Sequence, residues 1–216
     1  MQSGDRLSRP EFEQRYAADP HIHKAELIEG IVYVASPFRH EQHGKPHSRI
    51  ITWLGVYQAM TPGTGLSDAP TVRLDLENEP QPDAVMFVEA DAGGQTRISS
   101  DGYLEGSPEL IIEIAASSAA IDTGSKKQVY QRNGVLEYAI WQTYDNQLEW
   151  FVLRNGEYRL LPPDSDGILR SPAFPGLWLA VEALLNNQMA QVLVVLQAGM
   201  QSTVHNAFVE RLDRER

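Results

Sequence analysis

Two apolar runs, AVMFV at 84–88 and LIIEI at 110–114, set the strongest limit on what this chain can fold into. Each is nearly continuous rather than alternating, so each reads as a strand in the middle of a sheet, buried on both faces. Each also brings a carboxylate into apolar surroundings. Asp83 enters the first run behind Pro82, and Glu113 stands inside the second. At a period of two, Glu109, Ile111, Glu113 and Ala115 share one face of the second strand, with Leu110, Ile112 and Ile114 on the other. A carboxylate placed there must be paired, protonated or bound to a cation. If the two strands are neighbours, Asp83 and Glu113 can converge on one hard dication such as Mg²⁺, which favours carboxylate oxygens. The plainer assignment makes Asp83 a strand-entrance residue and gives Glu113 an arginine partner.

The remaining segments predict a mixed α/β chain. Ser8-Arg9-Pro10-Glu11 is a capping-box pattern, so a short helix is expected over 9–18. Apolar runs at 25–28 and 31–35 flank Glu29-Gly30 and predict a β-hairpin. After the loop at 36–46, Ile50, Ile51, Leu54 and Tyr57 recur at helical spacing. Strands are expected at 71–76, 84–88, 110–114, 135–143, 148–153 and 158–161, with Asn155-Gly156 turning the last hairpin. A helix is expected over 125–133, closed by Gly134, and two more at about 180–198 and 203–214. The whole is expected to be a single domain, 1–216, with the core at 20–178 and a helical tail at 179–216.

Composition narrows the function. There is no cysteine, which excludes disulfides and thiolate metal sites. The polar N-terminus lacks a signal-peptide core, and the late apolar stretch at 189–196 is too short to span a bilayer. A cytoplasmic protein without membrane contact is therefore expected. The net charge of −11, from 18 basic and 29 acidic side chains, argues against nucleic-acid binding through a broad basic surface, though not against a local groove.

No lysine follows Glu113 two residues on, because Ala115 stands there. The next stretch, AAIDTGSKKQVYQRNGV, supplies one by another route. Asp122, Lys126 and Tyr130 are spaced i, i+4, i+8, and on one helix they form a stripe that can overhang the end of the Glu113 strand. Lys127 is the competitor, about 100° away around the helix.

QPDAVMF, YLEGSPELIIEIAASS, IDTGSKKQVYQRNGVLEYAIW and AELIEGIVYVASP, taken together and in that relation, resemble the Uma-type restriction endonuclease family of the PD-(D/E)XK nuclease superfamily. The resemblance covers most of 20–155 and continues more weakly through FPGLWL. It implies a restriction-endonuclease-like fold, a mixed central sheet flanked by helices, with a site for Mg²⁺ or Mn²⁺. It implies that Asp83 and Glu113 are the metal ligands and Lys126 the catalytic lysine. Glu26 is implied as an extra acidic residue near the metal, with Asp122, Tyr130 and His47 in support. The activity implied is metal-dependent endonucleolytic hydrolysis of phosphodiester bonds in nucleic acid, DNA first. A double-strand cutter often works as a symmetric pair, and the apolar face expected on the C-terminal helix offers a surface for a homodimer. Two other functions stay open: an inactive nuclease-fold module for binding or assembly, and a metal-dependent hydrolase of some other substrate.

Other signals carry less. HEQHG at 40–44 misses the H-E-x-x-H zinc pattern because Gly44 stands where the second histidine belongs. Gly44 and Pro46 also argue against a helix joining His43 to His47, so no histidine zinc site is expected. Arg39, Lys45 and Arg49 read as solvated surface, and Gly93-Gly94 opens no phosphate-binding helix.

Overall fold

The computed structural model describes residues 1–35, 39–116 and 118–216. The start of the loop expected at 36–46 lies outside the described residues, as does Ser117 at the end of PELIIEIAASS.

The chain opens with helix α1 (Arg9–Ala18), Pro10 sitting in its first turn where the missing N–H costs nothing. The Ser8 side chain makes no cap hydrogen bond, so the expected capping box is not formed. Strands β1 (Ala25–Ile28) and β2 (Ile31–Val34) follow as the expected hairpin. Glu29 and Gly30 both take positive φ at its turn, the conformation that suits the twist of a two-residue hairpin.

Helix α2 (Lys45–Ala59) runs on without a break from a π-helical turn at His40–Gly44. The reading that Gly44 and Pro46 would interrupt this segment is corrected here. Pro46 falls at the start of α2, where it need not donate, and the wide π turn accommodates it.

β3 (Thr64–Asp68), not expected from the sequence, returns to the sheet. β4 (Val72–Arg73) is only two residues of the strand predicted at 71–76. It joins β6 (Arg97–Ile98) and β7 (Leu104–Glu105) in a small separate sheet, while β5 (Ala84–Val88) and β8 (Leu110–Ala115) enter the main one. A second interrupted helix follows: α3 (Ala119–Ile121), a π turn at Asp122–Lys126, and α4 (Lys127–Arg132).

β9 (Glu137–Gln142), β10 (Gln147–Arg154) and β11 (Glu157–Leu160) complete the main sheet, in the order β11-β10-β9-β8-β5-β3. β5 and β8 sit inside it, as their apolar runs require. β8 pairs parallel with β9 and antiparallel with β5, so the sheet is mixed.

A short pair, β12 (Ile168–Arg170) and β13 (Trp178–Ala180), leads into α5 (Val181–Leu185), α6 (Met189–Met200) and α7 (Thr203–Glu215). The helix expected at 180–198 is broken at Asn187, which takes a left-handed φ of 65°.

The sheet separates two cores. On one face Ala84, Met86, Leu110, Ile112 and Ile114 pack with Trp53 and Leu54 of α2 and with Leu184, Val192, Leu196 and Phe208 of the C-terminal helices. On the other face Val85, Phe87, Ile111 and Ala115 pack with Tyr130, Tyr138 and Phe151. Asp83 and Glu113 have the parity of this second face. Among the described residues no helix is long and apolar enough to cross a membrane.

Candidate active site

The register of β5 on β8 pairs Ala84 with Ile112 and Val85 with Ile111. One step further along that ladder sets Asp83 opposite Glu113. At this point Asp83 continues the pairing through its side chain: the Ile114 N–H donates to Asp83 Oδ2 at 2.7 Å. Both carboxylates are almost completely buried, Asp83 at 4% exposure and Glu113 at 3%.

Around Glu113 the helical segment after β8 folds back over the strand. Lys126 Nζ donates to Glu113 Oε1 at 2.8 Å, and the Tyr130 hydroxyl donates to the same oxygen at 3.0 Å. The ammonium also lies 2.7 Å from Glu26 Oε1 and 3.5 Å from Asp122 Oδ1. Glu26 reaches it because β1 is bridged to Glu79 through Leu27, which brings the hairpin against the segment before β5. There the Gln81 N–H donates to Glu26 Oε1 at 2.7 Å. Tyr138 donates to the Asp122 backbone carbonyl at 3.0 Å and fixes the π turn against the sheet. Lys127 faces elsewhere, its Nζ resting 3.4 Å from the centroid of the Phe151 ring. Of the two adjacent lysines, Lys126 is the one at the carboxylates.

Asp83 has a second set of partners that the sequence did not announce. His43 Nε2 lies 3.0 Å from Asp83 Oδ1, and Lys24 Nζ lies 3.7 Å from the same oxygen. His47 Nε2 is 2.8 Å from the Asp83 carbonyl oxygen and 3.0 Å from Asp68 Oδ1. The helical spacing of His43 and His47 was the available signal, hidden by Gly44 and Pro46. For Lys24 it was period two: Lys24 and Glu26 fall on one side of the chain entering β1.

The electrostatics divide the two carboxylates. Burial alone would raise the Asp83 carboxyl, but the His43 ring, the Lys24 ammonium and the Ile114 N–H together outweigh it and hold it at about 2. Glu113 is pushed up to about 8, first by burial and then by the Asp122, Asp83 and Glu26 charges, with Lys126 pulling the other way. Burial likewise raises Asp122, against the pull of Lys126 and a Ser118 hydrogen bond. Burial opposes the charge of Lys126 itself, yet Glu113, Glu26 and Asp122 more than offset it, so its ammonium is held well above its usual range.

These groups line an open cavity of about 550 Å³, walled by the β1–β2 hairpin on one side and the helical segment 118–126 on the other. Lys24, Arg39, Tyr33 and Tyr144 stand around the acidic cluster in its wall. Among the described residues, His43, His47 and Asp83 each offer a ligand atom within 4.8 Å of the others, a spacing compatible with one metal ion.

Comparison with known proteins places this geometry in context. No curated protein matches the chain. A solved structure titled "putative nuclease belonging to DUF820", from Anabaena variabilis ATCC 29413, superposes with a TM-score of 0.61 at 13% identity, covering 80% of this chain and 96% of that one. At that identity the likeness is one of fold: a mixed sheet flanked by helices. The sequence model of the Uma2 family, described as "Putative restriction endonuclease", matches residues 9–182. That span takes in the hairpin, both carboxylate strands and the lysine-bearing helix, and on it the chain belongs to the Uma2 family of restriction-endonuclease-type proteins.

Proposed function

We propose that the protein is a metal-dependent endonuclease that hydrolyses phosphodiester bonds, in DNA before RNA, with Asp83, Glu113, Lys126 and Glu26 as its catalytic residues. The observation that carries this reading is the opposition of Asp83 and Glu113 across adjacent strands with the Lys126 ammonium 2.8 Å from Glu113. The donor set fits a divalent cation. Three carboxylates, Glu26, Glu113 and Asp122, crowd around the Lys126 ammonium, with Asp83 opposite Glu113, and among the described residues Asp122 Oδ1 is buried without a hydrogen bond. Such an excess of buried negative charge calls for a cation or for protons.

Asp83 and Glu113 would hold Mg²⁺ or Mn²⁺, with Glu26 beside them, and the ion would supply the charge that polarises a phosphoryl oxygen and acidifies a water. The rest falls to the chain. Lys24 and His43 keep Asp83 ionised. Lys126 orients the attacking water or offsets the negative charge that builds on the phosphate. Tyr130 and Asp122 fix the positions of Glu113 and Lys126, and His47 fixes the backbone at Asp83. Lys24 and Arg39 in the cavity wall offer the local positive charge that a phosphate needs on an otherwise acidic molecule. We take 1–216 as one domain. Cutting both strands of a duplex would use a symmetric pair of copies.

The test is cleavage of plasmid and oligonucleotide substrates by the full chain with Mg²⁺, with Mn²⁺ and with a chelator. Asp83→Asn and Lys126→Gln should each lower the rate by about 100-fold or more, with folding checked by circular dichroism, while Lys127→Ala should leave it unchanged. Metal-independent nicking, or full activity in both site variants, overturns the assignment. Binding of nucleic acid without cleavage by the wild type under any metal supports the inactive binding module instead.

A further inference from the structure

We propose that His43, His47 and Asp83 form a second cation site, one that takes a first-row transition dication such as Zn²⁺ rather than Mg²⁺. As part of a catalytic centre it rests on the nuclease reading, because it shares Asp83 with it. As a metal site it can be tested without any substrate.

The spacing of the donors is the first ground. In a tetrahedral site with bonds of about 2.0–2.1 Å, ligand atoms lie about 3.3–3.4 Å apart, close to the separations here. His43 Nε2 stands 3.0 Å from Asp83 Oδ1, and His47 Nε2 stands 2.8 Å from the Asp83 carbonyl oxygen and 3.0 Å from Asp68 Oδ1. All three side chains offer an atom within 4.8 Å of the others, so the donors already stand near the reach of one ion.

The second ground is donor count at His47. A single proton on Nε2 faces two oxygens, the Asp83 carbonyl and Asp68 Oδ1, and serves only one of them well. A cation at that nitrogen would be met by both.

The third ground is rigidity. His43 and Asp83 are buried, with side chains 8% and 6% exposed. The two histidines ride on one continuous helical segment, their rings 5.6 Å apart and edge to face. Such preorganisation favours a site over a chance cluster of surface groups.

Ligand chemistry then separates the two sites. Imidazole nitrogen suits Zn²⁺, Co²⁺ and Ni²⁺, whereas Mg²⁺ prefers oxygen and keeps its water. The Asp83–Glu113 side of the cluster is all oxygen, and the Asp83–His43–His47 side is rich in nitrogen. A carboxylate shared by two cations is the arrangement in which attacking and leaving oxygens can both be stabilised in phosphoryl transfer.

The experiment uses the full chain stripped of metal and titrated with Co²⁺, reading its visible absorption, and with Zn²⁺ in competition. Wild type should bind Co²⁺ with the absorption of a nitrogen-ligated ion, Zn²⁺ should displace it, and Mg²⁺ should not. His43→Ala and His47→Ala should each weaken Co²⁺ binding by more than about 100-fold, the upper end of what losing even an outer-shell partner costs. Glu113→Gln should keep the spectrum. An independent readout on the unaltered protein guards against misfolding of the variants: Co²⁺ should shift or broaden the ring NMR signals of His43 and His47 and leave that of His205 in place. Co²⁺ binding that survives both histidine substitutions, a spectrum without nitrogen ligation, or unmoved His43 and His47 signals overturns the proposal and leaves the histidines as hydrogen-bonding supports of Asp83. Cleavage with Mg²⁺ alone and no Co²⁺ site sinks this inference and spares the nuclease; a Co²⁺ site without cleavage does the reverse.

Discussion

Lys126 stands where its removal would leave Glu113, Glu26 and Asp122 facing one another without a counter-charge. Breaking a buried ion pair from one side costs about 3–5 kcal/mol, so Lys126→Met should lower stability by that order at neutral pH, measured by urea unfolding. The sign with pH follows from the carboxylates. Burial raises the proton affinity of Glu113 and Asp122 in the folded state, so protonation relieves the repulsion; the deficit should be smallest in acid and grow as pH rises towards and through 8. Lys127→Ala, which removes a contact with the Phe151 ring and the pull of the Glu149 charge, should cost much less. Glu113 makes a second pH prediction. Its carboxyl is pushed up to about 8, so near neutrality it holds a proton that a bound dication must displace. Mg²⁺ or Mn²⁺ affinity should therefore rise as pH climbs to about 8, with proton release visible by calorimetry in buffers of different ionisation enthalpy. At this scale Asp83 and Glu113 were legible in the sequence because a carboxylate inside an apolar strand has few stable fates. Lys126 was legible from its spacing to Asp122 and Tyr130. Lys24 and His43 were harder to read: period two set Lys24 beside Glu26, but Gly44 and Pro46 hid the helical spacing of His43 and His47, and both residues meet Asp83 only through tertiary contact.

β3 shows how an element can escape sequence reading and still matter to the site. TGLSD has neither alternation nor a β-branched run, and it is a strand because β5 offers it an edge: Gly65 lies opposite Phe87, and Leu66 opposite Met86. A Cβ at position 65 would collide with the Phe87 ring, which occupies the space above the glycine. Gly65→Ala should push that ring off its position and cost about 1–3 kcal/mol, as overpacking does, read as a lower denaturation midpoint with an unchanged m-value. Because β5 begins one residue after Asp83, the same variant should also weaken metal binding if the strand shifts along its length. The small sheet of β4, β6 and β7 was illegible for a different reason. Its strands are two residues long, below any length at which period two can be recognised. The long apolar strands and the Asn155-Gly156 hairpin, with φ of 54° and 81°, were readable because local turn chemistry and buried pattern agree there.

The family match ends at residue 182, but the core does not. Leu184, Val192, Leu196, Phe208 and Leu212 belong to the same apolar cluster as Trp53 and Trp150, so the C-terminal helices close one face of the sheet. Their seat is narrow: a Cβ at Gly199 would strike the carbonyl oxygen of Gly176 and come within 2.8 Å of the Trp178 ring. Gly199→Ala should therefore cost about 1–3 kcal/mol. If 1–216 unfolds as one unit, fluorescence of the buried tryptophans and far-ultraviolet dichroism should still report one coincident transition at the lower midpoint.

Two π-helical turns, His40–Gly44 and Asp122–Lys126, carry His43 and Lys126 into the cavity. In terms of chain length, a π turn holds one residue more than the α turn it interrupts, so each behaves as a single-residue insertion absorbed without breaking the helix. Deleting one residue inside 40–44 would close that turn to ordinary α-helix and swing what precedes it by about 100° relative to α2. His43 and His47 would then no longer face Asp83 together, although the helix would survive. Homologous chains that differ by one residue at either turn should therefore differ in which side chains reach the cavity, and an alignment forced through without a gap would pair residues that do not share a place.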